Sequence, residues 1–293
     1  MTEQPEVPAL RDPVMVAAFE GWNDAGEAAS GAVAHLREVW DAQPAGEFDP
    51  EDYHDFQVSR PTVSIGEEGR RKITWPTTRL YWARPPGASR DVILVAGIEP
   101  SMRWRQYTRE LLGHADRLRV GTLVTLGALL ADVPHTRPIP VTSTSDDEDL
   151  MRRLALEPSR YEGPTGIVGV VQEAAGTLGL PCLSLWAAVP HYVGQSPSPK
   201  ATLALLHRVE EMLEVAIPLG ELPEDARAWE TGVDQLAEED AEIADYVRQL
   251  EEAKDTADLP EATGEAIARE FERYLRRRGD DEPPGKAGPG RLP

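Results

Sequence analysis

Four continuously apolar runs limit what this chain can fold into: PVMVAAFE at Pro13–Glu20, DVILVAGI at Asp91–Ile98, VGTLVTLGALL at Val120–Leu130 and CLSLWA at Cys182–Ala187. None alternates with polar residues. A run of this length, rich in β-branched side chains and without a polar face, reads as a strand covered on both sides. Helical stretches lie between the runs. After the first, Asp24 offers an N-cap, and Ala28, Ala32, Val33, Leu36, Val39 and Trp40 form a stripe at helical spacing. Further helices are expected over about 104–119, 166–178 and 199–215, with a short strand at Ile139–Thr144 and a short helix at Asp146–Leu156. Strand and helix in alternation predict an α/β fold, a mainly parallel sheet with helices on both faces.

Two regions depart from that rhythm. Between Tyr53 and Arg84 the fragments DFQVSRP, KITWP and TTRLYWARP alternate and are broken by proline, as in a β-hairpin or a sheet extension. After Leu219 the chain becomes strongly helical. Trp229, Val233, Leu236, Ile243, Val247 and Leu250 follow a heptad seam on one long helix if Asp240 fills the missing place. Pro260 breaks this helix, and a second is expected at Glu261–Arg278 with Ile267, Phe271 and Leu275 on one face. The organisation expected is therefore an α/β core over 1–219, a C-terminal α-helical extension over 220–279 and a disordered tail over 280–293.

Charge and cysteine usage remove several classes of function. The net charge is −21, and from Glu221 onward 21 acidic residues face 10 basic ones. Such a field repels phosphate backbones and anionic bilayers, so neither nucleic acid nor a membrane is an expected partner. No apolar run nears the roughly 20 residues needed to span a bilayer, and no charged-then-apolar leader pattern is read at the start, so a cytoplasmic protein is expected. The single cysteine, Cys182, allows no intrachain disulfide and no cysteine-based zinc cluster, and it reads as a buried, inert thiol. There is no GxxxxGK[ST], GxGxxG after a strand, GxSxG or HExxH, so no cofactor and no metal are expected.

What remains is positional. Both Val133-Pro134-His135 and Val189-Pro190-His191 leave an apolar strand through the same tripeptide. In a parallel sheet, ligands sit beyond the carboxyl ends of the strands. Those ends carry Glu20, Asn23 and Asp24; then Glu99; then His135 and Arg137; then His191 and Tyr192. One reading is a small-molecule crevice with Glu20 or Glu99 as general base and His135 or His191 as acid or anion contact. The other is that the carboxylates cap helices and accept backbone N–H groups while the prolines stiffen the turns.

The same residues carry a family resemblance. FEGWNDAGEAA at Phe19–Ala29, DFQVSRP with a following WP, and GIEPSMRW at Gly97–Trp104 resemble successive blocks of the proteasome assembly chaperone 2-like family. GALLADVPHTRP at Gly127–Pro138, YEGPTGI at Tyr161–Ile167 and SLWAAVPHYVGQSPSPKA at Ser184–Ala201 continue the set in order. The likeness spans about Val14 to Val215, and the longer C-terminal extension is similar to the actinobacterial branch. It implies a fold like that of nucleoside phosphorylases and peptidyl-tRNA hydrolases, and homo-oligomers, with a trimer as first choice. It also implies a proteasome-related protein partner, since eukaryotic members join a second chaperone in holding proteasome α-subunits. Relatives can dock through a C-terminal hydrophobic-Tyr-any ending; this chain ends Gly290-Arg291-Leu292-Pro293, which lacks the tyrosine. The function expected is a non-catalytic, oligomeric scaffold of assembly-chaperone type, the alternative being a phosphorylase- or hydrolase-type enzyme using the strand-end crevice.

Overall fold

The computed structural model describes residues 5–66, 69–156, 159, 161–195 and 197–257. In chain order the elements are β1 (Val14–Glu20), α1 (Ala28–Val39), β2 (Gln43–Glu47), α2 (Pro50–Tyr53), β3 (Thr62–Ile65), β4 (Arg71–Thr74), β5 (Arg79–Ala83), β6 (Val92–Ile98) and α3 (Trp104–Arg117). They continue with β7 (Thr122–Ala131), β8 (Val141–Ser145), α4 (Glu148–Leu154), α5 (Ile167–Thr177), β9 (Cys182–Pro190), α6 (Pro199–Leu213), α7 (Leu222–Glu239) and α8 (Ala241–Ala257).

Seven strands form one sheet in the order β2-β5-β6-β1-β7-β9-β8, with β1 at its centre. The four apolar runs are its parallel middle, β6-β1-β7-β9. Antiparallel strands finish both edges: β5 and β2 on one side, β8 on the other. Strand β1 explains why no polar alternation was visible. Val14, Val16 and Ala18 face one core with α1 and α6, while Met15, Ala17 and Phe19 face a second core with α3 and α5. Each large aliphatic side chain buried this way contributes about 1.5–3 kcal/mol. Cys182 is buried in the second core, which pushes its thiol up to about 12.

The region expected to be a hairpin or a sheet extension is both. Strands β3 and β4 pair in a separate two-stranded sheet with every residue exposed, and β5 extends the main sheet. Strand β2 (QPAGE) gave no apolar signal; its Pro44 is tolerated because β2 is an edge strand. Gly97 sits where β6 passes Thr78, and a Cβ there would lie 2.7 Å from the Thr78 Cα.

The heptad seam does not run along one helix. Asp240 adopts an extended backbone (φ −124°, ψ 108°), and its side chain accepts the N–H groups of Glu242 (2.9 Å) and Ile243 (3.3 Å). The aspartate that the heptad treated as a gap is thus the N-cap of α8. Helix α7 packs on α6 and α8 on α7. Val233 and Val247 of the seam are buried, whereas Leu236 is exposed. The second helix expected at Glu261–Arg278 and the tail from 280 lie outside the described residues. Among the described residues, no helix is long and apolar enough to cross a membrane.

Candidate functional site

The four strand exits all lie at the carboxyl ends of parallel strands, and the residues on them fall into two groups. The first surrounds β1 and β6. Gly21 turns the chain sharply at φ +118°, a conformation L side chains rarely adopt, so β1 ends at Glu20 and Asn23 folds inward. Asn23 Nδ2 donates to Glu99 Oε1 (2.8 Å), and the same oxygen accepts the backbone N–H of Ile167 (2.8 Å) at the start of α5. Glu99 therefore ties the ends of β1 and β6 to a helix N-terminus, where a carboxylate is favoured.

Asp24 has a similar duty toward α1. Its Oδ1 accepts from Ala29 N (2.8 Å) and Ser30 N (3.1 Å), reaching past a 3-10 turn at Ala25–Glu27 to cap the helix. Burial raises the Asp24 carboxyl above its ordinary value even though hydrogen bonds from Ser30 and Ala29 pull it down. Glu20 is also raised, first by burial and then by the negative charge of Asp24 and Glu27.

The second group is closed by the C-terminal helices. His135 is only 1% exposed. Its Nε2 lies 2.9 Å from Asp234 Oδ1 on α7, and its Nδ1 lies 2.8 Å from the Tyr192 hydroxyl. The carboxylate can only accept, so Nε2 donates. The Tyr192 O–H meets Nδ1 on the other side of the ring, and the Tyr192 oxygen accepts the His135 backbone N–H (2.8 Å). Burial pushes the Tyr192 phenol up to about 12, which keeps that proton in place. Arg137 makes a two-pronged bond to Asp255 through Nε and Nη2 (2.8 Å each) and reaches Glu251 through Nη1 (3.2 Å). His191 stands 3.4 Å from Asp132 and edge-on to Tyr246, whose hydroxyl donates to Asp132 (3.0 Å). Lys200 pairs with Glu230 and donates to the His135 carbonyl.

A cleft of about 490 Å³ opens beside these groups, and the register explains it. Strands β1 and β7 pair only from Val14↔Thr122 to Ala17↔Thr125. Strand β1 then stays with β6 to Glu20↔Ile98, while β7 continues along β9 to Ala131↔Pro190. The parting strands leave a gap lined by Trp22, Asp24, Glu27, Leu129, Leu130 and Gly194. Of the eight residues singled out from the sequence, only Asp24 lines it. Glu99, His135 and Tyr192 instead hold loops and helices together. Among the described residues, no group of three or more His, Cys, Asp or Glu is arranged to hold a metal ion. The residues that sequence reasoning missed are the partners on the far helices, namely Asp234, Tyr246, Glu251 and Asp255, together with Trp22 at the cleft. No local pattern connects the helix residues to the strand exits.

A family model described as the PAC2 family matches residues 18–237. The structure of a PAC2 family protein from Streptomyces avermitilis MA is similar at 62% identity and a TM-score of 0.76, covering 80% of this chain and 100% of that one. A proteasome-assembly chaperone homologue from Mycobacterium tuberculosis is similar at 52% identity and a TM-score of 0.73, covering 80% and 99%. An archaeal proteasome activator from Pyrococcus furiosus shares the fold at 19% identity and a TM-score of 0.63, covering 80% and 96%. None of the curated proteins matches the chain.

Proposed function

The chain belongs to the PAC2 family, and from that membership we propose that it acts as an oligomeric, non-catalytic scaffold of the assembly-chaperone kind. The observation that carries this reading is the closure of His135. An acid/base histidine needs a ring nitrogen within reach of substrate or of a reacting group, whereas this ring is buried away from the cleft with its nitrogens bonded to Asp234 and Tyr192. Glu99, one of the two candidate bases, accepts two N–H groups on one oxygen. The enzyme reading requires these groups to face one cleft, and they do not line it.

The partner in this reading is a proteasome-related protein in the cytoplasm, in keeping with the description of the mycobacterial relative as a proteasome-assembly chaperone homologue. A homotrimer is the assembly we favour. Two measurements test it together. Light scattering at micromolar concentration should give three times the mass of the 293-residue chain. Purified actinobacterial proteasome α-subunits should assemble into rings faster in its presence. A monomer that leaves ring assembly unchanged overturns the proposal.

A further inference from the structure

We propose that the cleft between β1 and β7 is a docking site for a basic side chain of a partner polypeptide, an arginine or lysine flanked by aliphatic residues. This rests on the scaffold reading, because a polypeptide occupant presupposes a protein partner.

Charge carries the first part of the argument. Asp24 and Glu27 line the cleft, and Glu20 lies close enough to both to feel their charge. Among the described residues none of the three is in an ion pair, although carboxylates elsewhere in the fold are matched: Asp91 by Arg11 and Arg84, Asp255 by Arg137. Asp24 is 7% exposed, and its Oδ2 has no hydrogen-bond partner even though Oδ1 takes two N–H groups. An unpaired oxygen on a buried carboxylate is costly, and a cationic donor relieves that cost. Burial first, and then the neighbouring carboxylates, raise the pKa of both Glu20 and Asp24, so a nearby cation would favour their charged forms.

The rim supplies the second part. Trp22 is 65% exposed, Leu129 46% and Leu130 49%, all on the mouth of an acidic cleft. Exposed apolar side chains gathered around a site of one charge sign mark an interaction surface. An arginine or lysine suits both features, since its stem packs on apolar surface and its head can sit over the Trp22 ring or reach the carboxylates. The net charge of −21 steers such a partner inward.

Calorimetric titration of the full chain tests this with a capped Leu-Ala-Arg-Ala-Leu peptide, the same peptide with glutamine for arginine, and n-butylguanidinium. The arginine peptide should bind about tenfold more tightly than the glutamine peptide, and added salt should weaken it. Glu27→Gln and Trp22→Ala alter exposed side chains and keep the fold. Asp24→Asn keeps an acceptor for the helix cap. Each should weaken the arginine peptide several-fold. Equal binding of the two peptides, no binding at millimolar concentration, or unchanged affinity in Glu27→Gln and Trp22→Ala overturns the site. Butylguanidinium binding as tightly as the peptide overturns the polypeptide occupant. Ring assembly without peptide binding sinks the cleft alone; peptide binding without ring assembly sinks the scaffold alone.

Discussion

His135 Nε2 and Asp234 Oδ1 stand 2.9 Å apart across 99 residues of sequence. The bond joins the exit of a central strand to a C-terminal helix. Around it, Arg137 with Asp255, Lys200 with Glu230 and Tyr246 with Asp132 repeat the same connection between core and helices. A residue type first considered for chemistry therefore works as a fastening.

Replacing His135 with alanine should destabilise the protein without removing any turnover. The change removes the imidazole that meets the part-buried Tyr192 O–H, while the backbone N–H to that oxygen remains, and leaves a small cavity, a loss of about 1–3 kcal/mol. Asp234 is half exposed and regains water, which limits the damage. Calorimetry should show the melting temperature falling by about 2–4 °C per kcal/mol lost. An unchanged melt would show that the fastening does not contribute.

At Glu99 the contrast between two substitutions is the informative result. Glu99→Gln keeps a side-chain oxygen able to accept from Ile167 N and Asn23 Nδ2. Glu99→Ala removes both bonds and the helix cap, worth about 0.5–2 kcal/mol for the cap alone. Chemical denaturation should rank wild type and Glu99→Gln close together with Glu99→Ala well below. Equal losses in both variants would mean that the charge, not the acceptor geometry, stabilises this corner.

Asp91 should govern the acid limb of stability. Burial works to raise its carboxyl, but the hydrogen bonds from Arg11 and Arg84 outweigh burial and hold it below the ordinary 3.8. A carboxyl depressed in the folded state stabilises the protein above its unfolded value, and that stability is lost as pH falls through the folded value. Melting temperatures should therefore drop below about pH 3.8. In Asp91→Asn they should be lower at neutral pH and flatter in acid. An equally steep acid limb in Asp91→Asn would place the dependence on another group.

Glu20 should show the opposite sign. Its folded carboxyl is raised above the ordinary 4.5, so the folded state holds a proton that the unfolded chain has already released. Stability from this group falls as pH rises through that window. Glu20→Gln should melt higher than wild type at pH 7, and the gain should disappear below pH 4.5. A variant that melts lower at pH 7 would contradict the crowding of Glu20 by Asp24 and Glu27.

The parallel centre of the sheet was legible because burial leaves a local mark. Strand β1 is covered on both faces, so Val14 to Phe19 are all apolar, and the stripe from Ala28 to Leu36 repeats at the pitch of a helix facing that core. Asp24 as a cap was legible for the same reason, since its bonds reach only five and six residues along the chain. Local pattern misled at Asp240: a heptad counts spacing alone and does not register that an aspartate side chain can replace the backbone partner a helix start lacks. Strand β2 left no mark because an edge strand needs no apolar run.

The roles of the strand-end residues were decided by tertiary structure. A histidine bound to an aspartate 99 positions away and a histidine facing substrate have the same neighbours in sequence. Which of the two forms depends on where α7 and α8 come to rest, and that is set by the packing of α7 on α6 and of α8 on α7 rather than by any residue near His135. The cleft arises in the same way, from the point at which β1 leaves β7. Periodicity reports which side of an element is covered; it carries no record of which distant element does the covering.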